Sequence, residues 1–203
     1  MDKDLESDNF FNTSHFTNML IDIYKTSLDK TIKWLKTSER NTGGSAANYS
    51  YLMGWTKAYP ETTGYIIKTL LDYNKSFHDK ESFEMAFRYG EWLLSIQNND
   101  GSWNGGMHPN SKPQQSVFNT AQIIIGLVSI CEVSEEKIWK ESLYRAAIWL
   151  AQNVNDQGLW ENGHYNDFNP TYYTRVAWPM LLANQILNET TISASALKVL
   201  DKM

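Results

Sequence analysis

Residues 97–103 read Gln97-Asn98-Asn99-Asp100-Gly101-Ser102-Trp103, a polar turn that follows an apolar run and ends on tryptophan. A second copy, Asn155-Asp156-Gln157-Gly158-Leu159-Trp160, follows another apolar run, and Trp103 and Trp160 stand 57 residues apart. Glycine leaves a helix in the left-handed conformation more readily than any other residue. Each copy therefore reads as a helix, a stop and an aromatic anchor. The same spacing runs outward from these turns. The Trp-Leu pairs at 34–35, 92–93 and 149–150 are separated by 58 and 57 residues, and Gly44, Gly101 and Gly158 by 57 each. Thr63, Thr120 and Thr174 follow at intervals of 57 and 54, each with leucine seven residues later. A fixed period of this size is the mark of stacked supersecondary units.

Each unit reads as a helical hairpin. Phe83, Phe87, Leu94 and Ile96 keep a period near 3.6 with polar residues between them, which predicts a one-sided outer helix. Val117, Ala121, Ile124, Leu127 and Val128, with Ile123 and Ile125 added, predict a helix that is apolar on most sides and buried. By this logic outer helices lie near 15–37, 80–97 and 135–153, and inner ones near 61–74, 115–131 and 170–187. Pro60 and Pro170 suit first helical turns, whereas Pro179 should kink or break the third inner helix. No stretch alternates apolar and polar residues long enough for a strand. The expected fold is all-α: helical-hairpin repeats of period about 57 forming a partial α/α toroid. One domain is expected over 1–203, with three hairpins, the start of a fourth in SASALKVLDKM, and disorder over 1–12. An open arc leaves end faces for self-association or for a partner subunit that completes the ring.

The 203 residues are 42% hydrophobic and 20% charged, enough for a sizeable core. A net charge of −5 with scattered lysines argues against nucleic acid and equally against an anionic membrane surface. The longest apolar run, near 123–128, is far too short to span a bilayer. The acidic N-terminus lacks the plan of a signal peptide, so a cytoplasmic chain is expected. Cys131, in the apolar run IIIGLVSIC, reads as a small hydrophobe rather than a nucleophile.

Arg88, Trp92, Leu93, Gln97, Gly101 and Trp103 together resemble the QW motif of the squalene and hopene cyclases and the wider α/α-toroid superfamily. Arg145, Ala146, Trp149, Leu150, Gly158 and Trp160 form a looser copy, with Val154 in place of the glutamine. The resemblance implies a toroid in which the tryptophan packs back on its hairpin. The chain departs from three branches of that superfamily. It has no DxDD cluster for cyclisation and no CGEQ thioester motif. Its four histidines, His15, His78, His108 and His164, form no ligand-spaced pair for zinc. No metal or other cofactor is expected. Six-hairpin glycosidases, uronyl hydrolases, epimerases and polysaccharide lyases share the architecture and hold sugars in aromatic-lined cavities. The stretch GWTKAYPETTGY, residues 54–65, is similar to a YPETTGY signature of toroid proteins from bacterial polysaccharide gene clusters.

The candidate site follows from where inner helices begin. Glu61 falls in a first helical turn, where the macrodipole favours a carboxylate, and is the candidate acid or base. Trp55, Tyr59, Tyr65 and Tyr172 offer rings or hydroxyls to a saccharide or other small molecule. His108 and His164 occupy nearly equivalent loop positions, and Asp167 precedes Pro170 as a turn or cap residue. Arg175 is a charge within a predicted inner helix, which requires an anionic partner or a cavity. The expected function is carbohydrate binding or catalysis by hydrolase, lyase or epimerase chemistry. The alternatives are a non-catalytic scaffold and a terpenoid-binding toroid without cyclase activity.

Overall fold

The computed structural model describes residues 8–164 and 171–203, with side chains from Phe16 onward. Asp167, Pro170, His15 and the part of the expected disorder before residue 8 lie outside the described residues. The first helix begins at Asp8.

Among the described residues there are seven α-helices: α1 (Asp8–Lys36), α2 (Pro60–Phe77), α3 (Lys80–Ser95), α4 (Val117–Cys131), α5 (Lys137–Gln152), α6 (Thr174–Leu187) and α7 (Thr190–Lys202). One small hairpin, β1 (Tyr49–Ser50) with β2 (Gly54–Trp55), is the whole sheet content among the described residues. The fold is the expected all-α helical repeat, with helix limits close to those read from the periodicity. The chain divides into two compact units at Thr37 and Ser38. The first contains α1. Its Trp34 is half exposed, whereas Trp92 and Trp149, its counterparts in the repeat, are buried.

The second unit is a two-layer arrangement. Inner helices α2, α4 and α6 pack side by side, and each is followed by its outer partner, α3, α5 or α7. Local signals set the starts. Proline at the first position of α2 gives up an N–H that would have no helical partner. The Asp79 carboxylate accepts from Ser82 N at 2.8 Å at the start of α3, and Ser116 Oγ accepts from Asn119 N at 3.2 Å at the start of α4.

The stretch QNNDGSW behaves as a clasp. Gly101 has φ +99°, and a Cβ there would lie 2.4 Å from the Arg145 carbonyl oxygen of α5. Gly158 repeats this against Lys198 of α7, at φ +77° and 2.6 Å. The glycines thus serve both the backbone conformation and the approach of the next outer helix. The buried Trp103 indole donates Nε1–H to Leu93 O at 2.9 Å, and Trp160 to Leu150 O at 3.0 Å. Thr120 Oγ1 accepts from Trp103 N and Thr63 Oγ1 from Ser45 N, so the first two of the periodic threonines each pin a loop to an inner helix. Gln97 Nε2 donates to Gly101 O and Ser142 O, while its Oε1 accepts from Ser142 Oγ and Arg145 Nη2. That glutamine joins one turn to the following outer helix.

Pro179 neither breaks nor ends α6, which runs unbroken from Thr174 to Leu187. Proline cannot donate to the carbonyl four residues earlier. The carbonyl concerned is Arg175 O, and Gln122 Nε2 of α4 donates to it at 3.2 Å. A neighbouring helix thereby supplies the hydrogen bond that proline withholds. Gln122→Leu is expected to cost about 1 kcal/mol, the ordinary net contribution of a hydrogen bond, since this one is only partly buried. In a Pro179→Ala background, where the residue-179 N–H can serve that carbonyl, the cost should shrink. A thermodynamic cycle by denaturant unfolding measures this, and additive effects would refute the coupling.

Candidate functional site

The exposed face of the inner layer holds a cavity of about 380 Å³, lined from three helices. Helix α2 contributes Glu61, Tyr65, the adjacent Lys68 and Thr69, and Asp72, which recur every three to four residues and so share one face. Helix α4 contributes Phe118, Gln122 and Ile125, and α6 contributes Arg175 and Trp178. Glu61 and Arg175 are 114 residues apart in sequence, yet the side-by-side packing of α2, α4 and α6 brings both to one cavity.

Glu61 is the electrostatic centre of this cavity. Burial pushes its carboxyl above the ordinary value of 4.5, against a hydrogen bond from Tyr59 and the charge of Arg175, which both favour the anion. The Tyr59 hydroxyl is also raised, first by burial and then by the Glu61 charge, and it interacts with the Asn119 side chain. Lys68 and Asp72 form an exposed ion pair at 2.7 Å one helical turn apart. Tyr65 and Trp178 keep large parts of their rings open to solvent. The cavity therefore offers flat apolar faces, one cation free of any close ion pair in the described residues, and a carboxyl that burial shifts above its ordinary value.

Of the residues singled out in the sequence, Glu61, Tyr65 and Arg175 line the cavity, and Tyr59 reaches it through Glu61. Tyr172 packs edge-on against the lining ring of Phe118, with centroids 5.4 Å apart. The others lie elsewhere. Trp55 lines a separate groove with Met53, Lys57 and Met107. His108 sits edge-on to Trp92 at 5.8 Å and donates its backbone N–H to Ala58 O, which makes it part of the loop packing. His164 is half buried, outside the cavity lining, with no partner for Nδ1. Asp167 lies outside the described residues. The sequence reading missed Phe118, Gln122 and Trp178. A helical projection of α4 and α6 in the register of Glu61 was the signal that could have found them.

Burial pushes the Cys131 thiol up to about 11, which keeps it protonated and inert as a nucleophile. Among the described residues no three His, Cys, Asp or Glu side chains converge as metal ligands would. No helix among them is long and apolar enough to cross a membrane.

No family model matches the chain. Over 107 residues it is 31% identical to a squalene–hopene cyclase of Zymomonas mobilis subsp. mobilis, an alignment that covers 48% of this chain and 15% of the cyclase. The chain thus spans a small part of that relative's length. The similarity supports a toroid of the cyclase and prenyltransferase kind, in agreement with the repeat geometry.

Proposed function

We propose that the cavity on the inner helices binds a saccharide carrying an acidic group, with Glu61 able to take or return a proton. The observation that carries this reading is one cavity joining a carboxyl raised by burial, the Arg175 guanidinium and the open rings of Tyr65 and Trp178. A volume of about 380 Å³ suits a small ring ligand. Arg175 would hold a carboxylate through paired N–H donors, and the rings would cover the apolar faces of the sugar.

The carboxylate arrangement discriminates among reactions. Glycoside hydrolysis ordinarily uses two carboxyls about 5–9.5 Å apart. Asp72, the other carboxylate lining the cavity, is eleven residues along α2 from Glu61, which is about 16 Å of helix. It is also paired to Lys68. One acid or base beside a tyrosine hydroxyl and an arginine fits proton transfer next to a uronate carboxylate, the chemistry of lyases and epimerases, better than paired-carboxylate hydrolysis.

Calorimetric titration with acidic and neutral oligosaccharides tests the reading. Arg175→Ala should weaken the acidic ligand by about tenfold or more and leave the neutral one nearly unchanged. Glu61→Gln should retain binding and lose any turnover. Linkage supplies a second readout. Because folding raises the Glu61 carboxyl, the folded chain holds that proton more tightly. The associated stability is full below pH 4.5, where the unfolded carboxyl titrates, and is lost as the pH rises through the raised value. Glu61→Gln should remove that part of the pH dependence.

The similarity to a squalene–hopene cyclase favours a second reading, a terpenoid ligand against the same rings. Binding of a prenyl diphosphate with no binding of any glycan would select it. Binding of neither would leave a scaffold role.

A further inference from the structure

One side chain beside the cavity lining has a polar atom with no partner. Asn119, on α4 between the lining residues Phe118 and Gln122, is 4% exposed. The start of its helix orients its amide. Ser116 Oγ accepts the Asn119 backbone N–H at 3.2 Å and gives its own proton to Asn119 Oδ1 at 3.1 Å. The Nδ2 group is thereby turned away from Ser116, buried and without an acceptor at hydrogen-bonding distance among the described residues. A buried amide in that state needs a reason.

The register of α2 on α4 identifies what it faces. A Cβ on Gly64 would lie 2.6 Å from Ile123 Cα, and one on Gly126 would lie 3.2 Å from Ile67 Cβ. Residues 64 and 123, and likewise 67 and 126, thus stand opposite each other with the same offset of 59, so the two helices run in the same direction. One turn earlier this offset sets Pro60 opposite Asn119, with Tyr59, the N-cap of α2, at the same level. The Tyr59 hydroxyl meets the Asn119 amide there. The antiparallel Ala58–His108 bridge brings Gly106 alongside with its backbone N–H toward the same hydroxyl, and Glu61 completes the surroundings.

Donor and acceptor chemistry then fixes the direction of one proton. Asn119 Nδ2 and Gly106 N carry hydrogens and no available lone pair, so both can only donate to the Tyr59 oxygen. The hydroxyl has one hydrogen, and of these three neighbours only the Glu61 carboxylate accepts. Nothing titratable competes from α4, which lines the cavity with Phe118, Gln122 and Ile125. Arg175 faces Glu61 from α6, and Tyr65, Lys68 and Asp72 line the same cavity from its own helix.

We propose that Asn119 is a positioning residue: it holds the Tyr59 hydroxyl so that its proton is given to one oxygen of Glu61, which leaves the other oxygen for the ligand. Its use rests on the proton exchange proposed above for Glu61, but the arrangement itself is measurable without any ligand.

The test is a pH titration of the isotope-labelled full chain by NMR, following the Glu61 side-chain carbon and the Asn119 side-chain amide. Tyr59→Phe removes the hydrogen bond that favours the anion, so the Glu61 midpoint should rise by about one pH unit. Asn119→Leu should raise it in the same direction by less, and should add nothing in the Tyr59→Phe background. In the unaltered chain the Asn119 amide protons should shift as Glu61 titrates, and in Tyr59→Phe they should stop following it. That readout leaves Asn119 in place, so it serves even where Asn119→Leu fails to fold. An unmoved Glu61 midpoint in Tyr59→Phe would overturn the proposal, as would an Asn119 amide indifferent to Glu61 in the unaltered chain. An equal effect of Asn119→Leu with and without the Tyr59 hydroxyl would mean that Asn119 acts through packing alone, and would overturn it too. Absence of saccharide binding with these shifts present would sink the ligand assigned to the cavity and leave the positioning role standing, so the two failures are distinguishable.

Discussion

Replacing Trp103 by alanine is expected to lower the unfolding free energy by about 3–5 kcal/mol, as removal of a buried indole does. Two losses combine at this position. The indole is completely enclosed, so its deletion leaves a cavity between turn and hairpin. The Leu93 carbonyl also loses the Nε1–H, keeping only the longer hydrogen bond from Ile96 N at 3.3 Å. Trp103→Phe separates the two, because it keeps much of the apolar volume and removes only the donor; it should cost less than alanine. Trp160→Ala should behave similarly, since its indole is equally enclosed and makes the same bond to Leu150 O. Urea unfolding measures all three. A loss below about 1 kcal/mol for both alanine variants would refute the view that these tryptophans clamp the repeat.

Gly126→Val should be the next most damaging substitution, at about 3 kcal/mol, the upper end of typical overpacking costs. A Cβ at Gly126 would lie 2.3 Å from the carbonyl oxygen of Gly64, and one at Gly64 would lie 2.6 Å from the Ile123 Cα. Both obstructions are backbone atoms, so no rotamer change relieves them. The helices α2 and α4 would have to separate. That displacement also carries Glu61 away from α4 and α6, which links the packing to the site. The expected result in calorimetry is a lowered melting temperature together with weaker ligand affinity at temperatures where the variant remains folded. An unchanged melting temperature would contradict the close approach of the inner helices.

Much of this architecture was legible because its causes are short-range. A helix declares its buried face every three or four residues, and proline or an N-cap residue marks its start. Gly101 and Gly158 declare the turns because L side chains rarely adopt their backbone angles. Thr63 and Thr120 stood out through spacing alone, and their hydroxyls prove to hold the loops on inner helices. Pro179 does not break its helix, and the reason is long-range. The missing hydrogen bond was supplied by Gln122, on a helix packed alongside and far away in sequence.

The candidate site divides along the same line. The sequence by itself determined that Glu61 opens an inner helix and that Arg175 lies inside another, since proline and periodicity fix both. Only the tertiary structure decided that these two share a cavity with Phe118, Gln122 and Trp178, while Trp55 and His108 belong to other surroundings. Burial and electrostatics at a side chain depend on which neighbours pack against it, and those neighbours come from repeats about 57 residues away. For the same reason Leu52 and Met53, apolar residues that local pattern would place in a core, stand in solvent. They occupy the tip of a hairpin against which no other element of the second unit packs closely enough to bury them.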